Sequence, residues 1–192
     1  AEIIEAVSQL LAEKEVQLVI DPVMIAKGGA TLLQSDAITA LKKHLLPIAT
    51  VITPNVPEAA VLSGVPISSE ADVEQAAKVL LQSGVKCVVM KGGHLSGEKA
   101  IDTIYFANGT TFMMESERIQ TTQTHGTGCT FSAALTAFLA KGLEMKEAIV
   151  EAKKFVQLAI SHPLNIGKGH GPTNHFAYKH FKNEVEVTVV ES

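Results

Sequence analysis

Thr50-Val51-Ile52-Thr53-Pro54-Asn55-Val56-Pro57-Glu58-Ala59-Ala60-Val61-Leu62-Ser63-Gly64 packs a strand, a break and a helix into fifteen residues. Thr50 to Ile52 reads as a short strand. Thr53-Pro54-Asn55 breaks it, because a proline cannot donate to a central ladder. Pro57 and Glu58 open a short helix, the proline with its φ already set and the acid facing the positive end of the helix dipole. The helix ends near Gly64. A strand that hands over directly to a helix is the repeating unit of an α/β fold.

The same alternation extends in both directions. Upstream, Val16 to Ile20 reads as a buried strand stopped by Asp21-Pro22, and the recurrence of Ile3, Ile4, Val7, Leu10 and Leu11 predicts an amphipathic helix before it. Gly28-Gly29 marks a loop, and Ser35-Asp36 precedes a helical pattern through Ile38, Leu41 and Leu45 that is expected to end before Pro47. Downstream, Ser69 and Asp72 form a capping-box pattern for a helix to about Ser83. Val85 to Met90 is a strand with Lys91-Gly92-Gly93 as its loop. Ile101 to Phe106 and Thr110 to Glu115, joined by Asn108-Gly109, predict a hairpin. Two helices follow, Cys129 to Ala140 and Met145 to Ser161, separated by Gly142. The order implies an α/β layered fold with a largely parallel sheet, in one domain over residues 1–192.

Composition agrees with a packed aliphatic domain. The 192 residues are 46% hydrophobic and 5% aromatic, with no tryptophan, and a chain of that length buries enough surface to need no staples. Cys87 and Cys129 have no CxxC or Cys/His spacing, which argues against a disulfide framework or structural zinc and for a reducing cytoplasm. A net charge of −4 with scattered basic residues excludes nucleic acid or an anionic membrane as the main partner. The acidic start Ala1-Glu2-Ile3-Ile4-Glu5 is not the n-region of a signal peptide. Ile119 to Ala140 carries no formal charge, but its first half is polar, leaving too short an apolar run to span a bilayer.

Ligands of parallel α/β sheets bind beyond the carboxyl ends of the strands, and four such places carry chemistry. Asp21 follows the first strand, Asn55 and Glu58 the second, and Lys91 with its glycines the third. The fourth, His125-Gly126-Thr127-Gly128-Cys129-Thr130, runs a glycine turn straight into a helix. Its unpaired N–H groups and about half a positive charge make an anion hole suited to phosphate, to which Lys91 adds a point charge. Asp21 and Glu58 are hard oxygen ligands suited to Mg²⁺, although singly each is equally a turn former or a first-turn acid. Together these groups describe phosphoryl transfer from a nucleotide.

Cys129, at a helix start that lowers a thiol pKa from about 8.5 toward neutrality, is either a base or a small buried hydrophobe. Cys87 belongs to the core. His125 reads as a loop residue holding geometry, and His170 and His175 as surface or hydrogen-bonding residues. Neither a Walker A loop nor GxGxxG is present: Glu98 follows the Gly92 to Gly97 stretch, and Phe131 occupies the last glycine position.

Taken in order, DPVM at 21–24, TPNVPEA at 53–59, KGGH at 91–94, HGTGCTFSAA at 125–134 and GKGHGP at 167–172 resemble a known family. It is the bacterial hydroxymethylpyrimidine/phosphomethylpyrimidine kinases of thiamine biosynthesis, a ribokinase-like branch. The resemblance implies a three-layer α/β ribokinase-like fold with a mainly parallel central sheet. It also implies ATP and Mg²⁺ as cofactors, a small pyrimidine as substrate, and phosphorylation of hydroxymethylpyrimidine and then of its monophosphate. Gly126, Thr127 and Gly128 would form the anion hole, with Cys129 the base beside the acceptor hydroxyl. Asp21 and Glu58 would organise Mg²⁺, Asn55 and Lys91 would face the ATP phosphates, and Val23 would line the pyrimidine pocket. Lys168 and Gly169 would lie near the nucleotide-side wall.

Family members begin with a further βαβ region and lid strands that support a homodimer. Their absence before Ala1 leads to the expectation that the chain is the C-terminal part of a longer enzyme, with little turnover on its own. A cysteine-containing pyridoxal kinase is the nearest alternative. A non-catalytic vitamin- or nucleotide-sensing module comes next, and a purely structural subunit last.

Overall fold

The computed structural model describes residues 1–25, 30–92 and 98–191. The expected Gly28-Gly29 loop, and Gly93 and His94 of the KGGH stretch, lie outside the described residues. The chain divides into two compact units, one of residues 1–25, 30–92, 102–113 and 191, the other of residues 98–101 and 114–190.

Helix α1 (Glu2–Ala12) opens the first unit and turns Ser8 inward. Strands β1 (Val19–Ile20), β2 (Val51–Ile52) and β3 (Cys87–Lys91) follow, and the hydrogen-bonded order continues through β4 (Lys99–Phe106), β5 (Thr111–Glu117) and β6 (Thr188–Glu191). β1 pairs with β2 and β2 with β3 in parallel, with Ile20 opposite Ile52 and Ile52 opposite Val88. β3 and β4 are antiparallel, Lys91 opposite Asp102. The three parallel strands therefore end along one edge, and the residues after each converge there. Helices α2 (Ser35–Ala40), α3 (Val56–Ser63) and α4 (Glu70–Gln82) complete this unit. Its core joins Met24, Leu46, Ile52, Leu62, Leu80 and Val88, all nearly inaccessible.

The second unit is built on α5 (Thr127–Ala140) packed against α6 (Met145–Ser161), with the short helix α7 (Ala177–Phe181) alongside α6. Phe131 and Leu135 of α5 and Ile149 and Leu158 of α6 are buried, and the Phe155 and Tyr178 rings stack at 5.1 Å.

Several boundaries depart from expectation for local reasons. The Val16 to Ile20 strand contracts to its last two residues, because the Leu18 N–H is taken by the Thr50 hydroxyl at 3.0 Å instead of a ladder carbonyl. The helix at Ser35 does not stop before Pro47: it passes through a π-turn, Leu41–Leu45, into a 3₁₀ turn, Leu46–Ile48. A proline in the first turn of that segment lacks only an N–H that would have no helical acceptor. Lys91 is the last residue of β3, not loop, and its N–H donates to Pro54 O at 2.9 Å. α7 and β6 were not foreseen. The β6 signal was present in Val185, Val187 and Val189, an alternation at period two.

Candidate functional site

In the first unit, the parallel edge gathers four of the expected site residues. The Lys91 ammonium sits 3.2 Å from Asp21 Oδ1, with both side chains mostly buried. Thr53, fully buried at the end of β2, points its hydroxyl toward the same oxygen at 3.5 Å. The other carboxylate oxygen, Asp21 Oδ2, is buried with no hydrogen-bond partner among the described residues. Asn55 and Glu58 close a reciprocal box on α3: the Asn55 N–H donates to Glu58 Oε2, and the Glu58 N–H donates to Asn55 Oδ1, each at 2.8 Å. Two orphan donors of the helix start are thereby satisfied.

Glu58 is only 8% exposed. Burial pushes its carboxyl above the ordinary 4.5; the Asn55 hydrogen bond and the Lys91 charge pull the other way, and the Asp21 charge adds to the rise. Asp21 and Glu58 thus share one electrostatic neighbourhood, with Lys91 the lysine between their demands among the described residues. Val23 is half-buried in the turn after β1, its N–H donating to Asp21 O at 2.9 Å. Asp102, which sequence reasoning did not single out, is buried on β4 and accepts from the Gly92 N–H at 2.9 Å, anchoring the chain just past Lys91. Its signal was a carboxylate inside an apolar strand pattern.

The unpartnered Asp21 oxygen bears on a metal. Mg²⁺ is held by one or two carboxylates while keeping waters and substrate phosphates, so Asp21 and Glu58 fit its donor chemistry. Among the described residues no group of three or more His, Cys, Asp and Glu forms a fuller cage.

In the second unit, Gly126 takes φ +83° as the N-cap of α5, a left-handed conformation that favours glycine. The helix therefore starts at Thr127, two residues earlier than expected, and Cys129 falls inside its first turn rather than at its opening. Thr127 turns its hydroxyl back to Thr124 O at 2.8 Å, and the Thr130 N–H closes the first turn on Gly126 O at 2.8 Å. Cys129 is exposed, which removes the reading of it as a buried hydrophobe. Cys87 is the contrasting thiol, buried in β3, where burial pushes it up to about 12 and leaves it inert.

His125 is tied to the segment after α6: its N–H donates to Gly171 O at 3.0 Å, and its carbonyl accepts from the Thr173 N–H at 3.3 Å. Lys168 and Gly169 are exposed on the stretch leading into that segment. The structure thus groups Asp21, Asn55, Glu58 and Lys91 in one unit, and Gly126, Thr127, Gly128 and Cys129 in the other.

A family model described as phosphomethylpyrimidine kinase matches residues 1–174. The chain belongs to the phosphomethylpyrimidine kinase family. The hydroxymethylpyrimidine/phosphomethylpyrimidine kinase of Haemophilus influenzae is 56% identical over 182 residues, 93% of this chain and 68% of that protein. Its counterpart in Bacillus subtilis is 46% identical, over 93% of this chain and 66% of its own length. Among solved structures, a Staphylococcus aureus pyridoxal kinase in complex with ADP matches all of this chain and 69% of its own, with TM-score 0.90 and 37% identity. A phosphomethylpyrimidine kinase from Clostridium difficile matches 81% of this chain and 63% of its own, with TM-score 0.68 and 38% identity.

The expected ribokinase-like α/β fold is therefore that of the family, carried here on a mixed sheet whose β1 to β3 portion is parallel. These relatives match 93% of this chain, and the expectation of a C-terminal part alone is not borne out. No helix among the described residues is long and apolar enough to cross a membrane.

Proposed function

We propose that this protein transfers phosphate from MgATP to hydroxymethylpyrimidine and then to the resulting monophosphate, in thiamine biosynthesis, as a cytoplasmic enzyme that is a homodimer at full length. One observation carries the reading: an exposed cysteine lies in the first turn of α5, directly after a left-handed glycine cap. A thiol and the first-turn N–H groups of α5 thus share one helix end, in a chain 56% identical to a curated kinase of that name.

In this mechanism the N–H groups of Gly126 to Cys129 receive the charge that gathers on the transferred phosphoryl oxygens. Cys129 takes the proton of the attacking hydroxymethyl oxygen as that oxygen bonds to the γ-phosphorus. The bond from phosphorus to the bridging oxygen breaks, and ADP leaves with its electron pair. Lys91 and Asn55 hold the nucleotide phosphates, Val23 lines the pyrimidine side, and Lys168 and Gly169 border the nucleotide. Asp21 and Glu58 would hold Mg²⁺, which when bound neutralises phosphate charge.

The two steps differ in one demand. An alcohol must lose a proton as it attacks, whereas a phosphomonoester oxygen is already ionised at neutral pH. In the full-length encoded protein, Cys129→Ala is expected to lower kcat of the first phosphorylation by about 10²-fold or more, and the second by far less. Equal losses in both steps would remove Cys129 as the base.

The Staphylococcus aureus structures favour a second reading, since they are pyridoxal kinases with TM-scores of 0.88 to 0.90. A kcat/KM for pyridoxal above that for hydroxymethylpyrimidine would replace the first reading with this one.

A further inference from the structure

The anion-binding turn of α5 is held from behind by the segment Gly171–His175. Thr130, buried one residue after Cys129, brings its hydroxyl to 3.1 Å from that of Thr173 and 2.9 Å from His175 Nε2. Thr173 Oγ1 lies 3.2 Å from the same nitrogen. Three polar atoms thus form a closed triangle, with Thr130 and Thr173 buried. With two hydroxyl protons and a ring nitrogen that either donates or accepts, two edges are satisfied in either tautomer.

The segment is itself anchored. Its Asn174 N–H donates to Ala159 O at 2.9 Å and its Asn174 amide to His162 O at 2.8 Å, fixing it on the C-terminal end of α6. At Gly171 a Cβ would sit 1.6 Å from Gln123 Oε1, so only glycine lets the two strands approach while Gln123, itself buried, keeps its place. The Phe155 ring, on α6, lies 6.2 Å from the imidazole. A rigid path therefore runs from α6 through Asn174 and His175 to Thr130, and from Gly171 and Thr173 to His125, at both ends of the turn.

We propose that His175 is a positioning residue for phosphoryl transfer. It touches no phosphate; through Thr130 and Thr173 it sets the angle at which the first-turn N–H groups of α5 meet the transferred group. This rests on the kinase reading above. Transition-state contacts are sensitive to such angles, and an ångström of misplacement costs far more in rate than in binding.

The test compares His175→Ala with His175→Gln, whose amide restores a donor and an acceptor at about the reach of the imidazole Nε2. In the full-length encoded protein, His175→Ala is expected to lower kcat about tenfold, with KM for ATP within about twofold, and His175→Gln to recover most of the loss. In the same protein, amide hydrogen exchange of residues 125–131 should rise about tenfold in His175→Ala, with α6 and the first unit unaffected. Unchanged kcat, a glutamine variant as slow as the alanine one, or exchange that rises throughout the second unit would each overturn the proposal. A wild-type enzyme that transfers no phosphate overturns the kinase reading instead. The exchange measurement then decides the tie alone, faster exchange confined to residues 125–131 upholding it and unchanged exchange overturning it.

Discussion

The first unit contains the same helix-start motif twice, and the two copies carry opposite electrostatics. At α3, Asn55 and Glu58 exchange side-chain and backbone hydrogen bonds; at α4, Ser69 and Asp72 do the same. Asp72 is only partly buried, and hydrogen bonds from Ser68 and Ser69 hold its carboxyl at about 2. Glu58 is buried beside Asp21 and Lys91, and its carboxyl is pushed up. A capping box stabilises a helix wherever it occurs. What turns one of them into a candidate ligand set is its place at the end of a parallel strand, where burial and a second carboxylate make its charge costly unless a cation arrives.

The comparison breaks most visibly in activity. Glu58→Ala is expected to reduce phosphoryl transfer by the full-length protein on the order of 100-fold and to weaken binding of MgADP by the chain in calorimetry. Asp72→Ala removes the same hydrogen bonds at α4 and should leave both quantities unchanged. If the two variants lose activity equally, the α3 box has no role beyond its helix.

The ion pair beside the buried box sets the next effect. Lys91→Met leaves Asp21 mostly buried, with one oxygen already lacking a hydrogen bond, and is expected to cost about 1–3 kcal/mol, the partial exposure of both groups being discounted. Asp21→Asn in the Lys91→Met background should recover part of that loss in urea unfolding, because the uncompensated charge is gone. No recovery would mean that the lysine stabilises by packing of its stem. No comparable coupling is expected between Asp72 and any lysine.

The difference between the boxes also marks how far the sequence could be read. The strand, break and helix from Thr50 to Gly64 were legible because proline, glycine and the cap residues act locally. So were the chemical types at the strand ends. The pairing of Lys91 with Asp21 was not: seventy positions separate them, and only the parallel register of β1, β2 and β3 brings them together. From the sequence Cys129 reads equally as base or core, because exposure is a tertiary property; a cap at Gly126 and a start at Thr127 leave it exposed. The Thr130–Thr173–His175 triangle had no signal beyond residue types, since its members meet through the return of the chain after α6.

The finest distinction between the two boxes is the sign of their pH dependence. Asp72 has a folded pKa below its ordinary 3.8, so its contribution to stability is present above that value and is lost as pH falls from about 3.8 toward about 2. Glu58 is raised above 4.5, so its protonated form is the favoured one. Its contribution is present below the ordinary value and is lost as pH rises through the folded pKa. Thermal melts from pH 2 to pH 7 should therefore show Asp72→Asn losing most relative to wild type above pH 4 and converging with it near pH 2. Glu58→Gln, which keeps an acceptor for the Asn55 N–H without the buried charge, should instead gain relative to wild type as pH rises from 4 to 7. Saturating Mg²⁺ should shrink that gain, because a cation bound to wild-type Glu58 offsets the desolvation that the glutamine avoids. Parallel melting curves for Glu58→Gln and wild type would show that burial places no cost on the charge of the α3 carboxyl.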